Sequence, residues 1–276
     1  MQRTLRLLSL LLLTALPGCI VHEPTGRLEP LSTAACSQLG CTPLLLAVYG
    51  REGKAQVVGG GSGIAVHDRV ILTAGHVVPD EARFLFARVG GTPDSSEEDS
   101  PAWRGQGARI RKVIRGGGGP TSKGDWALIV LDRPLTRIGA RACSCMCSAG
   151  DPAPKIGDAV VIAGFPFAGT TDMINRDPVI VRTTICHAPL DAGSDPAFLY
   201  ADYASGTTDL SGLSGGPVFT VSRTGEPACL IGIHIATGVS RFGDKVVDRT
   251  SVIRRVPTEE IQKAIADLPP PPPPRG

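Results

Sequence analysis

The chain has 276 residues, of which 42% are apolar and 4% aromatic, with 34 glycines and 24 prolines. That is enough apolar matter for a packed core, and the weight of glycine and proline favours short strands and turns over long helices. A net charge of +2 offers no basic footprint, so a nucleic-acid partner is not expected.

The first elements are those of export. Arg3 and Arg6 precede an apolar run over residues 7–16, and "LPGC" ends at Cys19. The run is too short to cross a bilayer as a permanent helix. The cysteine directly after glycine resembles the bacterial lipobox. That resemblance implies a lipoprotein signal peptide over residues 1–18 and Cys19 as the lipidated first residue. Lipid on both thiol and amine would hold the protein on a membrane of the bacterial cell envelope, on its extracytoplasmic side. A plain signal peptide with an incidental cysteine is the competing reading. Residues 19–42, rich in Pro, Thr, Ser and Gly, read as a spacer.

From Pro43 the writing changes to strand and turn. "LLLAVYG", "AQVVGGGSGIAV", "RVILTAGHVV", "ARFLFARVG", "ARIRKVIRG" and "WALIVLD" are short apolar or alternating runs bounded by turn residues. Residues 141–156, with "GDPAP" among them, form a linker between two halves. Six further runs follow: "DAVVIAGFPF", "PVIVRTTICHA", "AFLYADYA", "GGPVFTV", "ACLIGIHIA" and "KVVDRTSVI". Two groups of six predict an all-β fold of two six-stranded antiparallel barrels, over residues 43–140 and 157–268. A short C-terminal helix closes the second unit, with Thr258 as its N-cap and Ile261, Ile265 and Leu268 as its apolar stripe. Residues 269–276 are a polyproline tail.

The eight cysteines are Cys19, Cys36, Cys41, Cys143, Cys145, Cys147, Cys186 and Cys229. In an exported chain disulfides are the default. The three of "CSCMC" fit one another poorly as partners, and are expected to reach either the N-terminal arm (Cys36, Cys41) or the second half (Cys186, Cys229). A thiolate metal site with Cys186 and His187 is conceivable, but the spacing matches no familiar zinc pattern. Neither a metal nor a cofactor is expected.

Three residues carry the chemistry. Ser214 stands in "DLSGLSGGPVF", flanked by glycines that permit unusual backbone. A serine hydroxyl needs a general base, the base needs an orienting acid, and the resulting oxyanion needs N–H donors. Of His22, His67, His76, His187 and His234, His76 ends an apolar run beside the small Ala74 and Gly75. Asp125 directly precedes a buried-looking run, where a carboxylate is costly unless paired. These motifs, "LTAGHVV", "DWALIVLD" and "GLSGGPVF", resemble those of the chymotrypsin-like (trypsin-like) serine proteases in content, order and spacing. "GSGIAV" and "IGDAVVIAGFPFAG" look most like the bacterial HtrA-type and glutamyl-endopeptidase branches.

The resemblance implies a serine endopeptidase acting on polypeptide substrates through an acyl-enzyme. It makes Ser214 the nucleophile, His76 the general base and Asp125 its partner. The amides of Gly212 and Ser214 become the oxyanion hole, and the C-terminal helix packs on the second barrel. Leu213 stands where digestive members place an aspartate that pairs with a new N-terminus, so no such activation switch is expected. Thr208, Asp209 and His234 fall at the substrate pocket, with Thr207 a further uncharged candidate. His234 suits an acidic substrate side chain and Asp209 a basic one, so the preference stays open. Residues 212–216 also fit the G-x-S-x-G elbow of α/β-hydrolases, but that fold needs an acid and then a histidine after the serine. His234 comes only 20 residues later (234 − 214). The remaining alternative is a catalytically weak or inactive protease-like fold used as a binding or regulatory module, for which the Ile235 that follows His234 speaks.

Overall fold

A computed structural model describes residues 28–31, 41–50, 57–89, 107–116, 124–135, 140–147, 151, 154–166, 177–186, 195–203, 210–222, 227–242 and 245–270. Cys19, Thr207, Thr208, Asp209, His22, His187 and Cys36 lie outside them. No helix among the described residues is long and apolar enough to cross a membrane.

Twelve apolar runs become twelve strands, and a thirteenth precedes them. The first barrel comprises β2 (Pro43–Tyr49), β3 (Val57–His67), β4 (Val70–Thr73), β5 (Phe84–Val89), β6 (Gly107–Arg115) and β7 (Ala127–Leu131). They close in the order β2-β3-β4-β7-β6-β5. Leu44, Leu46 and Val48 of β2 join Ile64, Ile71, Leu72 and Ile129 in the interior. The intervening Ala47 and Tyr49 pack on the other face with Phe86, as period-two alternation requires.

The second barrel comprises β8 (Ala159–Gly164), β9 (Val179–Cys186), β10 (Phe198–Tyr203), β11 (Pro217–Val221), β12 (Pro227–Phe242) and β13 (Lys245–Arg255). It is closed by the antiparallel pairing of β8 with β9. Both units are thus six-stranded antiparallel barrels, as the sequence predicts. β1 (Leu28–Pro30) falls within the stretch read as a spacer, yet pairs with Val179, Ile180 and Val181 of β9. It continues the edge that β10 covers only at Ala201 and Tyr200.

The helix α1 (Thr258–Ala266) differs from expectation in two ways. Its N-cap is Pro257; Thr258 is the first helical residue, and its hydroxyl donates to the Cys147 carbonyl rather than capping the helix. Its C-terminal end lies on the first barrel, not the second. Ala264, Leu268 and Pro269 share a cavity with Arg111, Lys112 and Ile114 of β6 and with Val130 of β7. Arg69 donates to the Pro269 carbonyl at 2.8 Å. The helix therefore brings the end of the chain back across to the barrel where the fold began.

The seam between the barrels turns on one side chain. Ser62 of β3 is fully buried. Its hydroxyl donates to the Gly212 carbonyl at 2.8 Å and accepts from the Phe165 amide at 2.9 Å, both in the second unit. Its amide donates to the Ser214 carbonyl at 2.8 Å. Its carbonyl accepts from Thr73 Oγ1 at 2.7 Å. Glycine at position 61 permits the approach, since a Cβ there would stand 2.7 Å from the Ser214 carbonyl oxygen.

Replacing Ser62 by alanine leaves the Gly212 carbonyl and the Phe165 amide buried without their partner. Because an orphaned buried polar group costs about 1–3 kcal/mol, Ser62→Ala is expected to lower unfolding free energy by about 2–4 kcal/mol in urea titration. A loss below about 0.5 kcal/mol, the ordinary range for an uninvolved surface change, would contradict this account of the seam.

Candidate active site

His76 sits on a single 3-10 turn, Gly75–Val77, directly after β4. The turn is held by Val77 and Val78 amides donating to the Ala74 and Gly75 carbonyls. Val77 itself is buried, so the turn cannot lift away cheaply. Arg115 of β6 braces it, donating to the Gly75 carbonyl at 3.0 Å while pairing with Asp80 at 3.3 Å.

Asp125 precedes β7, with Trp126 buried beside it. Only 1% of its side chain is exposed. A carboxylate in such a place needs partners, and His76 supplies two. The His76 amide donates to Asp125 Oδ1 at 3.0 Å, and His76 Nδ1 lies 2.9 Å from Oδ2. This bond fixes the tautomer that leaves Nε2 as the basic nitrogen. The His76 side chain as a whole is 29% exposed. Position 75 is tight: a Cβ on Gly75 would stand 3.0 Å from Asp125 Oδ1.

Ser214 stands in the loop before β11, and this loop is held from both barrels. Leu213 is fully buried, packed with Leu210, Val160, Ile162, Val218 and Ile231. The amides of Leu213, Gly215 and Gly216 donate to the carbonyls of Leu210, His234 and Leu213. Those of Gly212 and Ser214 have no backbone acceptor among the described residues. Gly212 and Gly215 adopt φ of +94° and +85°, conformations that other residues reach only with strain. Gly215 is also wedged against the first barrel, where a Cβ would lie 2.1 Å from both the Ser62 carbonyl oxygen and Thr73 Oγ1. The serine loop thus abuts the strand that leads into the histidine turn. No hydrogen bond joins the Ser214 hydroxyl to His76 among the described residues.

His234 is the one described member of the expected pocket set. It lies on β12 opposite Ile253, next to a bulge at Ile235 that the register shift creates. Its carbonyl accepts from the Gly215 amide, and its amide donates to the Gly216 carbonyl. The strand is therefore the floor on which the serine loop rests. The ring is 1% exposed. It lies beside the backbone of Leu213 and Ala236, but neither nitrogen makes a well-formed hydrogen bond among the described residues. Burial, with His76 nearby, lowers its pKa to about 4.

Sequence reasoning passed over Ser62, whose only signal is a serine among glycines in β3, and the role of Leu213 as an apolar anchor. Of the cysteines, Cys147 bonds Cys229 and ties the linker to β12, which removes Cys147 from any thiolate ligand set. Cys41, Cys143, Cys145 and Cys186 are thiols.

A histidine whose folded pKa lies near 4 against 6.5 unfolded favours the fold while neutral. Its contribution is complete above pH 6.5 and lost as pH falls toward 4. Two and a half pH units correspond to about 3 kcal/mol. The unfolding free energy of the wild type should therefore drop by about that much across this window, and His234→Asn should flatten the slope. Equal slopes for the two proteins would refute a buried neutral imidazole.

The trypsin family profile matches residues 40–257. No curated protein matches. Among solved structures, the chain resembles the scabies mite inactivated protease paralogue S-I1 at 18% identity and a TM-score of 0.58, over 88% of this chain and 99% of that one. Human heparin binding protein aligns at 16% identity and a TM-score of 0.58, over 90% and 98%. Neuropsin, a serine protease expressed in the limbic system of mouse brain, aligns at 18% and 0.54, over 81% and 93%. At these identities the likeness is one of fold. With the profile spanning most of the chain and both barrels in place, the protein belongs to the trypsin family and has its chymotrypsin-like architecture.

Proposed function

We propose that this chain is a serine endopeptidase that cuts polypeptides through an acyl-enzyme, tethered by a lipid on Cys19 to the bacterial cell envelope. The observation that carries the enzymatic reading is the buried Asp125 carboxylate gripping His76 by both its ring and its amide. A purely structural pair has no need to leave the imidazole partly exposed.

In this reading His76 Nε2 takes the Ser214 proton as the hydroxyl attacks a peptide carbonyl, and Asp125 balances the imidazolium. The tetrahedral oxyanion is met by the amides of Gly212 and Ser214, two donors with no backbone acceptor among the described residues. One such donor is worth about 3 kcal/mol of barrier. His76 then protonates the leaving amine, and water repeats the sequence to release the acyl group. Substrate side chains would enter beside His234, Thr208 and Asp209. The neutral state of His234 supports a hydrogen-bonding role there rather than a cationic one.

A second reading has support in two observations. The Ser214 hydroxyl is not hydrogen-bonded to His76 among the described residues, and an inactivated paralogue is among the similar folds. A binding or regulatory module of the same architecture would fit both facts.

A fluorophosphonate probe separates the two. Wild type is expected to label at Ser214, and Ser214→Ala not at all. Asp125→Asn should retain its fold but lose about 10⁴-fold in turnover through the wrong tautomer. A folded wild type that resists the probe would favour the binding module. For the tether, Cys19→Ala is expected to move the protein from the membrane fraction to the soluble one. Unchanged fractionation would refute the anchor.

A further inference from the structure

Cys41, Cys143 and Cys145 converge where the N-terminal arm, the linker and both barrels meet. The Thr42 amide donates to the Arg141 carbonyl at 3.2 Å, and the Arg141 amide to Thr42 Oγ1 at 3.1 Å. This clasp brings Cys41 to the linker, where it hydrogen-bonds with Cys143. The Cys143 amide donates to the Ala65 carbonyl of β3, and the Leu230 amide of β12 donates to the Cys145 carbonyl. The linker is thus pinned to the first barrel at one cysteine and to the second at the other. The Sγ atoms of Cys143 and Cys145 are 4.0 Å apart, and Cys41 hydrogen-bonds within the same cluster. Cys41 and Cys143 are buried, while Cys145 is half-exposed. All three are thiols, whereas Cys147, two residues on, is already bonded to Cys229.

We propose that these three thiols form a disulfide-exchange site, whose substrate is a small disulfide and whose stable product is a Cys41–Cys143 cross-link. This inference does not rest on the peptidase reading. The incoming disulfide meets Cys145, the thiol open to solvent, and gives a mixed disulfide there with release of one small thiol. Cys143 attacks that mixed disulfide at the Cys145 sulfur and releases the second small thiol. The resulting link between residues two apart is poorly shaped for a relaxed disulfide. Cys41 then attacks Cys143, and its proton passes to the departing Cys145 sulfur. The small disulfide has gained two electrons, the chain has lost two, and Cys145 is a thiol again.

The local chemistry supports this order. The Cys41 S–H beside Cys143 holds that thiol below the ordinary cysteine range, which favours its thiolate as the attacking sulfur. The same bond and burial push Cys41 up. Burial also raises Cys145, which makes entry the slow step. The product fastens the arm between two barrels: the Leu31 amide already donates to the Pro178 carbonyl beside β9, and the new bond would fix the other end, ten residues on (41 − 31), at the linker. With Cys145 next to the bond, a reducing surrounding would reopen it.

The test uses the full chain equilibrated with reduced and oxidised glutathione at several ratios, quenched in acid, unfolded, alkylated with N-ethylmaleimide and mapped by mass spectrometry. A Cys41–Cys143 peptide should appear in oxidising mixtures and vanish in reducing ones, with Cys145 alkylated or glutathionylated and Cys147–Cys229 unchanged. Cys145→Ser should slow its formation by about tenfold or more, since a buried thiol is reached poorly, without altering the final extent. Three alkylated cysteines at every ratio would overturn the proposal. So would a bond from Cys143 to Cys36 or Cys186, or equal rates in the Cys145→Ser protein.

Discussion

The two barrels are held in register by a fully buried serine whose every polar atom is engaged. Ser62 reaches from β3 to both sides of the Ser214 loop, to Gly212 through its hydroxyl and to Ser214 through its amide. The same residue accepts from Phe165 and from Thr73. An arrangement of this kind tolerates little slippage, because a shift of either barrel would strand several buried donors and acceptors together. Turning the Gly212 carbonyl toward the first barrel also sets the orientation of the peptides that follow. The histidine turn begins at Gly75, two residues past the Thr73 that ends β4. The Ser214 loop and the strand that leads to the His76 turn are thus held together by the same buried contacts.

Leu213 supplies the second anchor. The digestive relatives fix the equivalent loop by an ion pair with a freshly cut N-terminus. Here the position is a leucine, buried among Leu210, Val160, Ile162 and Val218. Apolar packing needs no cleavage event to form and carries no titrating group. The loop is therefore built as the barrel folds, and an acylated or extended N-terminus does not conflict with it. The buried neutral imidazole of His234 holds the loop from below through its own backbone, and is the one titratable side chain of this support among the described residues.

Much of this was legible in the amino-acid sequence. The twelve strands follow from apolar runs punctuated by glycine and proline, and the closed barrels from their grouping in sixes. His76 and Asp125 were recognisable because the contexts "TAGH" and "GDWALIV" place a base and an acid at the ends of buried strands. What escaped notice has physical reasons. Three residues of β1 carry no periodicity of their own, and their pairing depends on an edge that β10 leaves bare. The first barrel offers the helix an apolar seat at Ile114 and Val130, a tertiary fact that a stripe on the helix cannot announce. Thr258 has a cap's chemistry but finds the Cys147 carbonyl instead. Ser62 looks like one more small residue in a glycine-rich strand, since nothing local distinguishes a solvent-facing hydroxyl from one that bridges two barrels.

The most direct test is a crystal structure of the protein inhibited by diisopropyl fluorophosphate. The account predicts phosphorus bonded to Ser214 Oγ, with the phosphoryl oxygen about 2.7–3.1 Å from the amides of both Gly212 and Ser214 and the His76–Asp125 bond intact. An adduct whose phosphoryl oxygen faces away from those two amides, or a Ser214 that stays unmodified in a well-folded crystal, would contradict it.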